Sequence, residues 1–250
     1  MEQVVGGIDH VYVPFVDAEK TFRIFVEDFG LPEAWPYKFY GAVASGGICL
    51  GNANLEIIGH NTVYPWFFAQ TPAQVQGIVL TPAGSIDAAL VSAIRARAIS
   101  CSRPMPYEGE LLGQQGVVWT SLLLKDFVSE RAGVMLCRYH VSEAANLRSR
   151  QAALDRVQGG KLGIVGIDEI VIGSPNLEAA ITRWQRLFSP VQGQAGVWEL
   201  PHGPKLRLVS AEAEQVVRLV LTSRSPQNAQ ARFDHYSVAL NGLQLVFKSS

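Results

Sequence analysis

The chain repeats itself. Residues 6–13 read GGIDHVYV and residues 165–172 read VGIDEIVI. Each carries Gly-Ile-Asp and then apolar residues at every second place, the period of a half-buried strand. Each is followed by a helical pattern. The first has Asp17 at an N-cap place and an apolar face of Phe22, Phe25 and Phe29, with Gly30 suited to the helix end. The second has Asn176 as cap and Leu177, Ile181, Trp184 and Phe188 on one face. Then come short strands separated by Gly, Asn and Pro turns, FYGAVASGGICLGNANLEIIG in one copy and GVWELPHGPKLRLVS in the other. The repeating unit is strand–helix–strand–strand–strand, and its return outranks any other signal in the chain.

Two weaker copies lie between and after these. Residues 75–141 hold VQGIVLTP, a helix SIDAALVSAIRARAIS starting near Gly84 or Ser85, and the strands QGVVWTSLLLKD and AGVMLCRYHV. A shortened copy starts at Gln215 with VVRLVLTSR, a helix reduced to about SPQNAQARF, and a strand in DHYSVALNGLQLVF. A polar, helix-prone stretch at 142–162 reads as the join between halves. A lone unit leaves an apolar concave face uncovered, so units must pair, with helices outside and a cleft within. The expected fold is α+β: tandem βαβββ modules paired into two half-open barrels. The expected halves are residues 1–145 (modules about 1–60 and 75–141) and 160–250 (modules about 163–211 and 215–250, truncated), while the residues leave open which modules pair: copy one with copy three is the alternative, and it would bring His10, Glu56, Glu169 and Arg207 together.

In GIDHVYVPFVDAEKTFRIFVEDFGL, GNANLEIIG and GIDEIVIGSPNLEAAITRWQRLF the chain resembles the vicinal oxygen chelate superfamily, which includes glyoxalase, bleomycin-resistance and extradiol dioxygenase proteins. The resemblance implies glyoxalase-like barrels with a metal in the cleft, held from the first and last strands of each module. Carried onto this chain, those places are His10 and Glu56. Imidazole nitrogen and carboxylate oxygen suit Zn, Ni, Mn, Co or Fe. The matching places are Gly77 and Met135 in the second module, and Glu169 and Arg207 in the third. In the fourth the last-strand place is Gln244, with His235 on the strand before it. The later copies have thus lost the ligand set. Glu169 and Arg207 read as an ion pair that neutralises two charges.

The same residues allow other readings. His10 and Glu56 also read as a metal-free acid–base pair, or as a structural hydrogen bond. Period-2 alternation puts His60 on the Glu56 face, and Cys137 and Tyr139 on the Met135 face. Tyr37, Phe39 and Trp66 belong to aromatic segments that suit a small-molecule pocket or simple packing. The resemblance implies an enzyme acting on a small oxygenated organic substrate, whether lyase, isomerase or dioxygenase. Its alternative is a metal-free protein that sequesters an antibiotic or another aromatic ligand.

Composition excludes other classes. The formal net charge is −1 and no basic stripe occurs, so nucleic acid is not an expected partner. No apolar run reaches the length of a membrane span. The three cysteines are far apart and form no CxxC, which fits a reduced, cytoplasmic setting. No GxGxxG leads from a strand into a helix, and no G-x-S-x-G is present. A monomer or a homodimer is expected.

Overall fold

The computed structural model describes residues 2–40, 44–59, 75–111, 114–140, 143–236 and 242–249. The first copy forms β1 (Val5–Phe15), α1 (Ala18–Arg23), β2 (Glu33–Phe39), β3 (Ala44–Cys49) and β4 (Asn54–Gly59). The second forms β5 (Gln76–Pro82), α2 (Ala88–Arg95), β6 (Met105–Leu111), β7 (Gln114–Leu123) and β8 (Ala132–Tyr139). A helix α3 (Glu143–Arg156) connects β8 to the next strand. Then come β9 (Ile164–Ser174), α4 (Leu177–Phe188), β10 (Val197–Trp198) and β11 (Lys205–Ser210), followed by β12 (Gln215–Ser223), α5 (Pro226–His235) and β13 (Gln244–Ser249). Among the described residues the last two copies return with fewer strands than the first two.

Copy one pairs with copy two. Their strands make one eight-stranded sheet in the order β2-β3-β4-β1-β5-β8-β7-β6. The antiparallel β1–β5 seam joins them, with His10 opposite Val79 and Tyr12 opposite Gly77. Copies three and four make a five-stranded sheet, β10-β11-β9-β12-β13, through the same kind of seam between β9 and β12. The fold is α+β, with a curled half-barrel sheet and a second, smaller sheet.

Local chemistry explains most boundaries and corrects three expectations. Asn176 caps α4, its side chain accepting from Ala179 N at 3.1 Å. Asp17 makes no side-chain cap bond; α1 is short and runs into a π turn, Ile24–Asp28, before Gly30 reverses the chain at φ 68°. The second helix starts later than Gly84 or Ser85, because Asp87 supplies the cap, accepting from Leu90 N at 3.0 Å. His235 is not on a strand. It is the exposed last residue of α5, a full ten-residue helix anchored by buried Ala229 and Phe233.

One apolar core runs under both sheets, from Val4 and Phe25 to Trp198 and Phe247. Aromatic rings stitch the halves together. Phe127 meets Trp184 edge-on at 4.8 Å, and Phe29 meets Tyr236 at 4.9 Å. The backbone joins in too. His202, exposed in its turn, exchanges backbone bonds with Gly6 and Ile8 beside the site-bearing strand. Gly7 permits that approach, since a Cβ there would lie 2.4 Å from the His202 carbonyl oxygen.

Candidate functional site

His10 and Glu56 meet on the inner face of the eight-stranded sheet. β1 and β4 run parallel with Tyr12 beside Glu56, which places His10 one step along the same face. His10 Nε2 lies 3.2 Å from Glu56 Oε2. The His10 ring also meets the edge of Trp35 at 5.6 Å. Glu56 is the more open of the two side chains, at 15% exposure against 7%.

The residue before His10 joins the site by breaking the strand's alternation. The β1–β5 register slips between Ile8 and His10, leaving Asp9 as an extra, bulged residue. A bulge re-aims its side chain. Asp9 Oδ2 consequently lies 2.6 Å from His10 Nδ1. Its other oxygen accepts from Arg150 Nη2 of α3 at 2.5 Å, and its backbone carbonyl accepts from Arg150 Nη1 at 3.2 Å. Turned so that its oxygen faces the guanidinium, the Asn54 amide accepts from Arg150 Nε and Nη2, each at 3.3 Å. Asp9, His10, Asn54 and Arg150 are all buried.

Charge follows from this chain of contacts. Burial alone would raise the Asp9 carboxyl, but the Arg150 guanidinium and the His10 bond outweigh it and hold the group at about 2. Burial alone would lower His10. Its bonds to Asp9 and Glu56 outweigh that and push the imidazole up to about 9. At neutral pH the ring therefore donates from both nitrogens. Burial, reinforced by the Glu56 charge, keeps the Tyr12 phenol protonated. Burial does the same for Cys137 and Tyr139, with Asp9 adding to both.

The sheet register locates the counterparts in the other copies. Tyr12 opposite Gly77, and His10 opposite Val79, make Gly77 the counterpart of His10. Met135, beside Val79, is the counterpart of Glu56. No side chain fits at Gly77, where a Cβ would lie 2.3 Å from the Tyr12 hydroxyl and 2.0 Å from the Gly133 carbonyl oxygen. Tyr12 occupies that space and donates to Gly133 O at 3.0 Å. A Gly77→Ala protein is expected to lose roughly 3 kcal/mol in urea unfolding, the upper end for overpacking. A loss near zero would mean that the Tyr12 ring and the Gly133 backbone both give way freely.

In the second sheet the same places hold the Glu169–Arg207 ion pair, at 2.8 Å. Arg207 stands beside Val171 as Glu56 stands beside Tyr12. The bulge recurs as well, at Asp168, which pairs with Lys248 at 2.8 Å. In the fourth copy the register puts Val246 beside Val220, so Val246 takes the place expected for Gln244. Gln244 lies two residues away, beside Arg218.

The other expected site residues divide. Cys137 and Tyr139 do reach this face, in a small cluster with Tyr12, Val79, Met135 and Trp119. Tyr107 stacks on Trp119 at 3.9 Å and extends that wall. Tyr37 faces the other way: its ring packs on Phe22 of α1 at 5.8 Å, and Trp35 stands near His10 instead. A register slip in β2 between Trp35 and Lys38 separates the two rings. Phe39 is 68% exposed at the strand end. His60 and Trp66 lie outside the described residues.

No family model matches the chain, and no curated protein matches it. Solved structures do. A hypothetical protein from Staphylococcus aureus matches at TM-score 0.62 and 12% identity, over 97% of this chain and 98% of that one. A homoprotocatechuate 2,3-dioxygenase variant from Brevibacterium fuscum matches at 0.54 and 12%, over 94% and 62%. The 2,3-dioxygenase LapB from Pseudomonas sp. KL28 matches at 0.52 and 13%, over 95% and 81%. The fold is glyoxalase-like and is shared with these structures. At such identities the likeness extends to the fold alone, and this chain spans about three-fifths of the Brevibacterium enzyme.

The donor set can be tested against a metal on the geometry. His10 Nε2 and Glu56 Oε2 fit as two donors on one side of an ion, and Asp9 on Nδ1 provides the carboxylate that metal-binding imidazoles usually carry. The symmetry-related places offer Gly77 and Met135. Among the described residues no group of three or more His, Cys, Asp or Glu side chains is arranged to hold an ion. No described helix is long and apolar enough to cross a membrane.

Proposed function

We propose that the first-half cleft acts on a small oxygenated organic molecule as an enzyme of the glyoxalase or dioxygenase kind, with His10 and Glu56 holding a divalent cation (Zn, Ni, Mn, Co or Fe). The supporting observation is the buried meeting of His10 Nε2 and Glu56 Oε2 at 3.2 Å, with Asp9 bound to the ring's other nitrogen. A divalent cation there would supply Lewis acidity toward substrate oxygens. His10 must give up its Nε2 proton to act as a donor, while Asp9 keeps the Nδ1 proton in place. Glu56, the more open partner, is suited to take a proton from substrate. Tyr139, held protonated, is suited to donate a hydrogen bond, with Trp35 on the His10 ring and Trp119 in the apolar cluster beside it.

A second reading follows from Gly77 and Met135, which leave the ligand set at half strength. On that reading the cleft binds an aromatic ligand without metal, and the protonated His10 with Glu56 orients it.

Elemental analysis of the purified protein beside His10→Ala and Glu56→Ala separates the two. Near one equivalent of a transition metal, lost in both variants, is the expected result. An absence of metal after reconstitution, with chelator-insensitive binding of an aromatic ligand, would overturn the metal reading in favour of the second.

A further inference from the structure

We propose that Arg150, carried on the connecting helix α3, is a positioning residue for His10 and acts through Asp9. The inference rests on the reading of His10 as a site residue, but its test does not require that any metal bind.

The geometry is that of a built clamp. A bulged aspartate has no strand neighbour to hold it, so its side chain needs a fixed partner to point anywhere in particular. Arg150 supplies one from 141 residues away. The planar fork grips Asp9 twice, at the carboxylate and at the backbone carbonyl, and the Asn54 amide accepts from the same guanidinium. Asn54 sits beside His10 on β4, so the clamp ties together the two strands that carry His10 and Glu56. With one Asp9 oxygen on Arg150, the other is left to face His10 Nδ1. That contact keeps a proton on Nδ1 and fixes where Nε2 points.

The helix is itself anchored. Leu154 is fully buried, and Cys49 Sγ donates to the Arg150 carbonyl at 3.3 Å. On the neighbouring turn, the Asn52 side chain accepts from Ile167 N at 2.9 Å and donates to Ile167 O at 2.7 Å. The second half thus buttresses the turn leading into β4. A segment that reads as a polar linker serves the site from behind.

The test is a long-range nitrogen–proton correlation spectrum of the metal-free protein, with His10 assigned from a His10→Gln variant. The wild type is expected to show a downfield, exchange-protected proton on His10 Nδ1. Asp9→Asn removes it. Arg150→Lys keeps a positive charge but not the fork, and moves the proton upfield or broadens it away. Arg148→Met, on the exposed side of the same helix, leaves it unchanged. Co2+ affinity is measured in parallel and is expected to fall about 10–100-fold in Asp9→Asn and Arg150→Lys. Circular dichroism confirms that each variant is folded. A folded Arg150→Lys protein with a wild-type His10 signal overturns the proposal. If the wild type binds no Co2+ yet its imidazole spectrum responds as described, the metal reading fails and the positioning role stands.

Discussion

Replacing Arg150 by methionine is expected to cost about 3–5 kcal/mol of folding stability, the usual result of leaving a buried charge without its partner. Asp9 is 5% exposed and its nearest cation besides His10 is this guanidinium. Most of the loss is the desolvation of Asp9, not the pair's own attraction, so the double variant Asp9→Asn/Arg150→Met should recover part of it. Urea denaturation of the single and double variants measures both quantities. A single-variant loss below about 1 kcal/mol would put Arg150 among ordinary exposed ion pairs. Such a result would contradict the buried geometry. The expected loss is a large share of the roughly 5–15 kcal/mol by which domains are usually stable.

Stability should also fall on the alkaline side, and His10 sets the window. Its folded value of about 9 lies above the ordinary 6.5. Between those values the folded chain holds a proton that the unfolded chain has released, so stability decreases as pH rises. The contribution is fully present below about 6.5 and is lost by the time pH has passed about 9, a change of roughly 3 kcal/mol. Asp9 works in the opposite direction at the acid end. Its contribution is present above 3.8 and is lost as pH falls through about 2. Denaturation midpoints between pH 6 and 10 test the alkaline limb. A His10→Gln protein should lack that slope, and an equal slope in the variant would assign the alkaline loss to other groups.

Much of the fold was legible because its code is local and repeated. Gly-Ile-Asp followed by alternating apolar residues marks β1 and β9, and the aromatic stripes after them mark α1 and α4. His10 and Glu56 were named from the resemblance, which puts ligands on the first and last strands of a module, and the parallel β1–β4 ladder makes those two places neighbours. The Glu169–Arg207 pair followed from the same rule. Gln244 was misplaced because the register of β13 against β12 is set by strand pairing that the shortened fourth copy does not spell out, and a shift of two residues changes every partner on β13.

The sequence by itself determined the repeated modules and the strand faces, since these depend on periodicity and on contacts within one copy; the two candidate donors came from the family resemblance. Tertiary structure decided three things. Copies one and two share the larger sheet, because a seam between β1 and β5 is a choice among similar strand edges. Tyr12 fills the space at Gly77, because an absent side chain does not reveal what replaces it. Asp9 turns to His10 and meets Arg150, because one bulge reverses the alternation on which any reading of strand faces depends. The residues behind the site come from a distant helix, and no local pattern records a contact made across the fold.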